Sequence, residues 1–328
     1  MKIGLYSITY RGVWYKGPAL DVFSLLRLAQ QQGWEGLELD TERPHAAPMD
    51  LSADDRKRLR DLAGELGLPI CAVSPNCDLS SPVPVQREAM ICYVRECIKL
   101  AHDLGAPVCK VFAAWRGITL HDGLATYDDT YGYDQYGFWK GDRRRFVVTA
   151  LRELTSFAED HGVVLAMQNH GPDVVNTYTD VLALIGEVGS PALRGCMDIN
   201  IEPEADSPAH AREMARACGT QTVHSHFNAE FVENAQGEVE LVAGGYFDGR
   251  FWQRRVAYPA YVDALVEQGY QHYMNWEFCH PASKDGVPAG LEYVQRQTAL
   301  ALEYMRNLRN LAEARVARTP PSPAAVTL

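Results

Sequence analysis

Eight times along this chain a short strand-like run gives way to a longer stretch with helical periodicity. The strand-like runs lie at about 2–7, 36–40, 69–74, 107–115, 163–170, 194–200, 221–228 and 272–278. The helical patterns lie at about 18–32, 52–67, 86–104, 143–161, 178–189, 207–218, 258–269 and 287–317. Strand–helix repetition calls for parallel strands, because a parallel neighbour is reached only by a long crossover. Eight such units predict an α/β fold, a closed (β/α)8 TIM barrel. A doubly wound sheet is the competing architecture, but no G-x-G-x-x-G follows the first strand, KIGLYS.

Local signals punctuate the same pattern. Ser52 and Asp55 form a capping-box pair, and Ser207-Pro208 supplies an N-cap followed by proline at the first helical position. Gly33, Gly67, Gly105, Gly162 and Gly269 stand where helices should stop. Met90, Val94, Cys97, Ile98, Ala101 and Leu104 share one face of the helix at 86–104. No domain boundary is visible, so one barrel is expected over 1–317. The proline- and alanine-rich end, ARVARTPPSPAAVTL from Ala314, reads as a disordered or interacting tail, with 318–328 beyond the barrel.

Composition narrows the class of partner. The 328 residues are 47% hydrophobic, enough for a substantial core, and carry a net charge of −11. That charge argues against a nucleic-acid surface, which needs clustered Lys and Arg. Arg143-Arg144-Arg145 reads as a surface turn or a local ion-pairing site. The eight cysteines include no C-x-x-C and are expected as reduced thiols. MKIGLYSITY lacks a signal-peptide core and no apolar run is long enough to span a bilayer, so a cytoplasmic location and no membrane association are expected.

The polar ends of four strands carry the chemistry: AMQNHG (166–171), CMDIN (196–200), HSHFN (224–228) and NWEF (275–278). Alternate side chains of a strand share a face. Gln168 with His170, Cys196 with Asp198 and Asn200, His224 with His226, and Asn275 with Glu277 then point to a common interior. Met167, Met197, Phe227 and Trp276 point the other way. Amide, carboxylate and imidazole groups converging at the C-terminal mouth are what a hard divalent cation needs. Manganese is the expected ion, with magnesium or cobalt as substitutes. Lys110 in VCKVF and Glu38 in LELD face the same interior, either as a buried pair low in the barrel or with Lys110 serving the site.

Two loops are too long for mere connectors. Residues 116–142 carry Tyr127, Tyr131, Tyr133, Tyr136, Phe138 and Trp139, and residues 229–257 carry Phe231, Tyr246, Phe247, Phe251 and Trp252. Two readings stand side by side: a surface elaboration that packs on a partner, or a lid stacked on a sugar ring.

From KIGLYS to NWEF the chain resembles the xylose-isomerase-like (β/α)8 superfamily of sugar phosphate isomerases and epimerases. The resemblance implies one divalent metal held by Gln168, Asp198, His226 and Glu277, with His224 as a supporting or substrate contact. The family places a glutamate where this chain has Gln168. A neutral amide can still give an oxygen to a metal, but it cannot act as a base near neutral pH. His170, two residues on, is then the candidate base, or itself a ligand. With HFNAEF after the seventh strand and long aromatic loops, the chain also resembles the larger subunit of bacterial C-glycoside deglycosidases. That narrower resemblance implies a lyase cleaving the C–C bond of a 3-oxo-C-glycoside by β-elimination, in a hetero-oligomer with a smaller β-type subunit. The alternative is a sugar isomerase or epimerase acting on a ketose or sugar phosphate. Glu277, His170 and His224 are the catalytic candidates under either.

Overall fold

In the computed structural model, eight parallel strands close into a single barrel. They are β1 (Lys2–Tyr6), β2 (Leu37–Asp40), β3 (Ile70–Ser74), β4 (Val108–Val111), β5 (Val164–Gln168), β6 (Leu193–Met197), β7 (Thr222–Phe227) and β8 (Tyr273–Trp276). The outer helices are α1 (Val22–Gln32), α2 (Ala53–Glu65), α3 (Pro84–Leu104), α4 (Arg144–Asp160), α5 (Tyr178–Val188), α6 (Pro208–Cys218), α7 (Tyr258–Glu267) and α8 (Leu291–Arg318). The structure describes residues 1–127, 136–137, 139, 141–171, 173–242, 245–247, 250–252, 255–284 and 286–318.

The caps form as the sequence indicates. Ser52 and Asp55 close a reciprocal capping box at α2, and the Ser207 side chain accepts the amide of His210 at the start of α6. Gly33, Gly67, Gly105, Gly162 and Gly269 all have φ between 62° and 86°, the left-handed region a C′ glycine supplies. Val94, Cys97, Ile98, Ala101 and Leu104 of α3 are buried, with Met90 at the margin. Several boundaries differ from expectation. Strand β4 ends at Val111, β5 at Gln168 and β6 at Met197, each two to four residues early, because the chain turns as it reaches the mouth. Helix α8 runs through Ala314 to Arg318, past the start of the expected tail; residues 319–328 lie outside the described residues.

The barrel closes between its first and last strands, with Lys2 opposite Tyr273 and Gly4 opposite Asn275. Gly4 is required there, since a Cβ would lie 2.0 Å from Asn275 Oδ1. The Ile3 amide donates to Glu35 Oε2 at 2.7 Å, and Arg309 of α8 reaches back to the same carboxylate at 2.7–2.8 Å and to the Met1 carbonyl at 3.2 Å. The main core lies between strands and helices. A small apolar cluster of Ala72, Val108, Ala166 and Cys196 shares the inward parity of the polar residues and floors β3 to β6.

The long loops and the segment after β8 contain hairpins that no sequence pattern announced: Thr119–His121 with Leu124–Thr126, Phe231–Glu233 with Val239–Leu241, Gly245–Phe247 with Arg250–Trp252, and, after β8, Ser283–Lys284 with Val287–Pro288. Tyr127 stacks on Trp14 at 5.4 Å and donates to the Cys279 carbonyl at 3.0 Å. Phe231 is buried against Trp276 and Tyr304. Tyr131, Tyr133 and Phe138, and the side chains of Tyr246, Phe247, Phe251 and Trp252, lie outside the described residues. All eight cysteines are free. Arg143 pairs with Asp173 and Arg144 with Glu187, while Arg145 lies over the Phe146 ring. No helix among the described residues is long and apolar enough to cross a membrane.

Candidate metal centre

Gln168 ends β5, Asp198 follows β6, His226 lies near the end of β7 and Glu277 follows β8, so four neighbouring strands deliver one side chain each to the mouth. Ligand atoms of Asp198, His226 and Glu277 all lie within 4.8 Å of one another. His226 Nδ1 is 3.3 Å from Glu277 Oε2. Gln168 Nε2 stands 3.4 Å from both Asp198 Oδ2 and His226 Nδ1, and its Oε1 is buried with no hydrogen-bond partner. Burial and the neighbouring Glu277 push the Asp198 carboxyl up to about 8. Two close carboxylates, an imidazole and an orphaned amide oxygen, short of donors, fit a divalent cation.

The orientation of His226 is fixed from below. Its Nε2 contacts the two oxygens of Glu38 at 2.9 and 3.1 Å, which puts the Nε2 proton there and turns Nδ1 to the mouth. Glu38 also accepts from His224 Nε2 and from Asn275 Nδ2, both at 2.8 Å, and from the Ser74 hydroxyl. Burial pushes the Glu38 carboxyl up, yet the two imidazoles hold it well below the usual carboxylate range. For His226, burial opposes the charge, but Glu38 and Glu277 outweigh it and raise the pKa. Tyr6 stacks on the other side of this network, 5.4 Å from the His226 ring and inclined by 19°.

The remaining candidates fall elsewhere. His224 is buried in the Glu38 network, its Nε2 2.8 Å from Glu38 Oε2. His170 does not continue the strand alternation: its amide donates back to the Gln168 carbonyl at 3.0 Å, a turn directly after the strand. Its ring stands edge-on to Trp115 at 4.5 Å and to Phe112 at 5.2 Å, with Nδ1 donating to the Gly171 carbonyl at 2.7 Å. That bond leaves Nε2 as an acceptor, and burial lowers the imidazole pKa to about 4. Asn200, though buried, also falls outside the strand alternation, because a short 3-10 turn over Ile199–Ile201 follows Asp198. The Lys110–Glu38 pair does not form; the donors around Glu38 already occupy its oxygens.

One residue of the site escaped the sequence reading. Asn169 is fully buried and clasps Asp198 by its backbone, accepting the Asp198 amide at 2.7 Å and donating to its carbonyl at 2.9 Å. It also donates to Glu202. The available signal was an amide at a position whose parity assigns it to the apolar layer.

Residues 26–297 match the description of the xylose isomerase-like TIM barrel family. The chain belongs to that family. This xylose isomerase-like barrel is 25% identical over 208 residues to a fructoselysine 3-epimerase of Shigella flexneri, spanning 61% of this chain and 66% of that protein. In fold it is similar to a D-psicose 3-epimerase from Clostridium cellulolyticum H10, with a TM-score of 0.68 at 17% identity, covering 94% of this chain and 99% of the other. It is likewise similar to a 3-keto-D-glucoside 4-epimerase from E. coli, with a TM-score of 0.63 at 16% identity and coverage of 94% and 99%.

Proposed function

We propose that the chain is a divalent-metal-dependent enzyme of the sugar isomerase or epimerase type, which enolises a keto sugar. The observation that carries the reading is the donor-poor convergence of Gln168, Asp198, His226 and Glu277 at the barrel mouth. These four would hold the cation, manganese being the first to test. When bound, such an ion polarises a carbonyl oxygen and so acidifies the adjacent C–H bond.

The protein's own groups divide the remaining work. Glu38 fixes the His226 ring, and Asn169 fixes the Asp198 backbone, so that both present their lone pairs to the mouth without reorganisation. Gln168 contributes an oxygen and no base. Two groups at the mouth remain to move the carbon-bound proton: Glu277, and His170 through Nε2. A carboxylate and an imidazole are unlike bases, so the two faces of the sugar are served unequally.

That asymmetry favours a second reading, β-elimination from a 3-oxo-C-glycoside, in which the enolised sugar expels its aglycone instead of regaining a proton. The similar proteins named above are epimerases, which gives epimerisation or isomerisation the first place. A smaller β-type subunit belongs to the elimination reading alone.

The test is proton exchange. The protein loaded with Mn²⁺ is incubated in D₂O with D-fructose, D-psicose and an aryl 3-keto-C-glucoside, and followed by NMR. Deuterium at a carbon beside the carbonyl with a new epimer or isomer supports the first reading, and aglycone release supports the second. Stoichiometric metal with no exchange in any of the three sugars would sink both.

A further inference from the structure

Lys110, in the middle of β4, is fully buried among interior groups of the barrel. Its Nζ lies 3.9 Å from the ring centroid of Phe112 and 5.3 Å from that of Tyr6. Among the described residues it makes no hydrogen bond, and no carboxylate comes within ion-pair distance. Aromatic faces attract a cation but accept none of its three N–H donors in a full hydrogen bond. A lysine buried this deeply is costly unless something pairs with it. The counterion that strand position offers, Glu38, is already saturated by His224, His226, Asn275 and Ser74.

Lys110 is not alone in lacking a partner. The Tyr6 hydroxyl and both oxygens of Asp40 are buried without hydrogen bonds, Asp40 having only Arg11 at 3.5 Å. Tyr6 and Asp40 end β1 and β2, at the same mouth as the candidate metal centre. The Tyr6 ring links the two sides, lying against His226 at 5.4 Å and within 5.3 Å of Lys110 Nζ. Unpaired donors and acceptors gathered around one opening are what an oxygen-rich ligand satisfies. Charge points the same way. Asp198 and Glu277 would match the charge of a divalent ion, so an oxyanion forming beside it adds a net negative charge that a buried lysine offsets.

We propose that Lys110 is a catalytic residue whose Nζ donates a hydrogen bond to the sugar oxygen that gains negative charge when the adjacent C–H proton leaves. The proposal rests on the enolisation reading above. In bond terms, the base takes the proton, the C–H electron pair becomes the C=C bond, and the carbonyl pair moves to the oxygen that Lys110 contacts.

Glycolohydroxamate, a planar anionic mimic of an enediolate, is the probe, titrated by calorimetry into the Mn²⁺-loaded protein. Replacing Lys110 by Met keeps the length of the side chain without its charge. Lys110→Met is expected to weaken hydroxamate binding by roughly 10–100-fold, as loss of a charged hydrogen bond does. Mn²⁺ affinity should stay unchanged, and the melting temperature should hold or rise, since an unpaired buried charge is removed. Lys110→Gln, which retains a donor, should fall between the two. Hydroxamate affinity equal to wild type in both variants would overturn the proposal while leaving enolisation standing. So would a lowered melting temperature with loss of Mn²⁺, which marks a structural lysine. Wild-type protein that holds Mn²⁺ yet ignores the hydroxamate would defeat the enolisation reading, and this proposal with it.

Discussion

His226 belongs to two buried clusters, one through each ring nitrogen, and the clusters are held by opposite means. Below, Glu38 is saturated: two imidazoles, an amide and a hydroxyl donate to it, and its carboxyl stays ionised far inside the protein. Above, Asp198 and Glu277 face each other with few donors, and Asp198 is pushed up to about 8. By interatomic distance alone, Glu38 with His224 and His226 could hold a cation as well as Asp198 with His226 and Glu277. Donor supply separates them. A buried carboxylate whose lone pairs are all spoken for is structural, and one left short of donors awaits a ligand.

The comparison breaks first at Asp198. Asp198→Ala should abolish both Mn²⁺ binding and turnover, whereas His224→Gln, in the saturated cluster, should leave stoichiometric Mn²⁺; metal analysis of the two purified variants decides it. Equal metal loss in both would erase the distinction. Next comes His170, just outside the upper cluster. His170→Asn should lower turnover by roughly 10²–10⁴-fold, the usual cost of a lost general base, with metal content unchanged. Metal loss in that variant would make His170 a ligand.

Glu38→Gln tests how far the lower cluster serves the upper. Removing the acceptor that orients His226 should weaken Mn²⁺ by about 10–100-fold, measured by competition with a chelator. An affinity equal to wild type would mean that packing alone, chiefly the stacked Tyr6, orients the ring.

A separate effect is on stability against pH in metal-free protein. Asp198 has a folded pKa raised above its unfolded value, so its contribution is fully present below the ordinary carboxylate range. It is lost as pH rises toward about 8. The loss approaches about 1.4 kcal/mol per pH unit inside that window. Glu38 has the opposite sign: its depressed pKa gives stability that is present above the ordinary range and lost only on acidification. Urea unfolding of metal-free protein between pH 5 and 8 should therefore show falling stability, which Asp198→Asn flattens and Mn²⁺ reverses. A wild-type profile that rises across this range would contradict the strain assigned to Asp198.

Much of this arrangement was legible in the sequence, for a geometric reason. Strand alternation is local, so Gln168, Asp198, His226 and Glu277 could be placed on one side of their strands without knowing the fold, and eight units closed the ring. Alternation fails where strands end. His170 and Asn200 were assigned by a parity that the turns after Gln168 and Met197 had already cancelled. The Glu38 network was out of reach for another reason. Parity says that Glu38 and His224 both face inward, but β2 and β7 meet only across the closed barrel. The hairpins over the mouth went unseen because two- and three-residue strands carry too little pattern to register.

The Lys2–Tyr273 pairing has a consequence during synthesis. Strand β2 reaches β1 within the first forty residues, and the Glu35 carboxylate takes up the Ile3 amide at about the same time. The other edge of β1 has no such early partner, since β8 emerges some 270 residues later. A chain still on the ribosome thus carries an open hydrogen-bonding edge until β8 has been made, and Arg309 can seal the join only after that. Barrel closure therefore waits for β8, the last strand of the barrel to be made. Refolding yield should consequently fall with protein concentration, and a chaperone that shields a strand edge would act on β1 before any other part of the molecule.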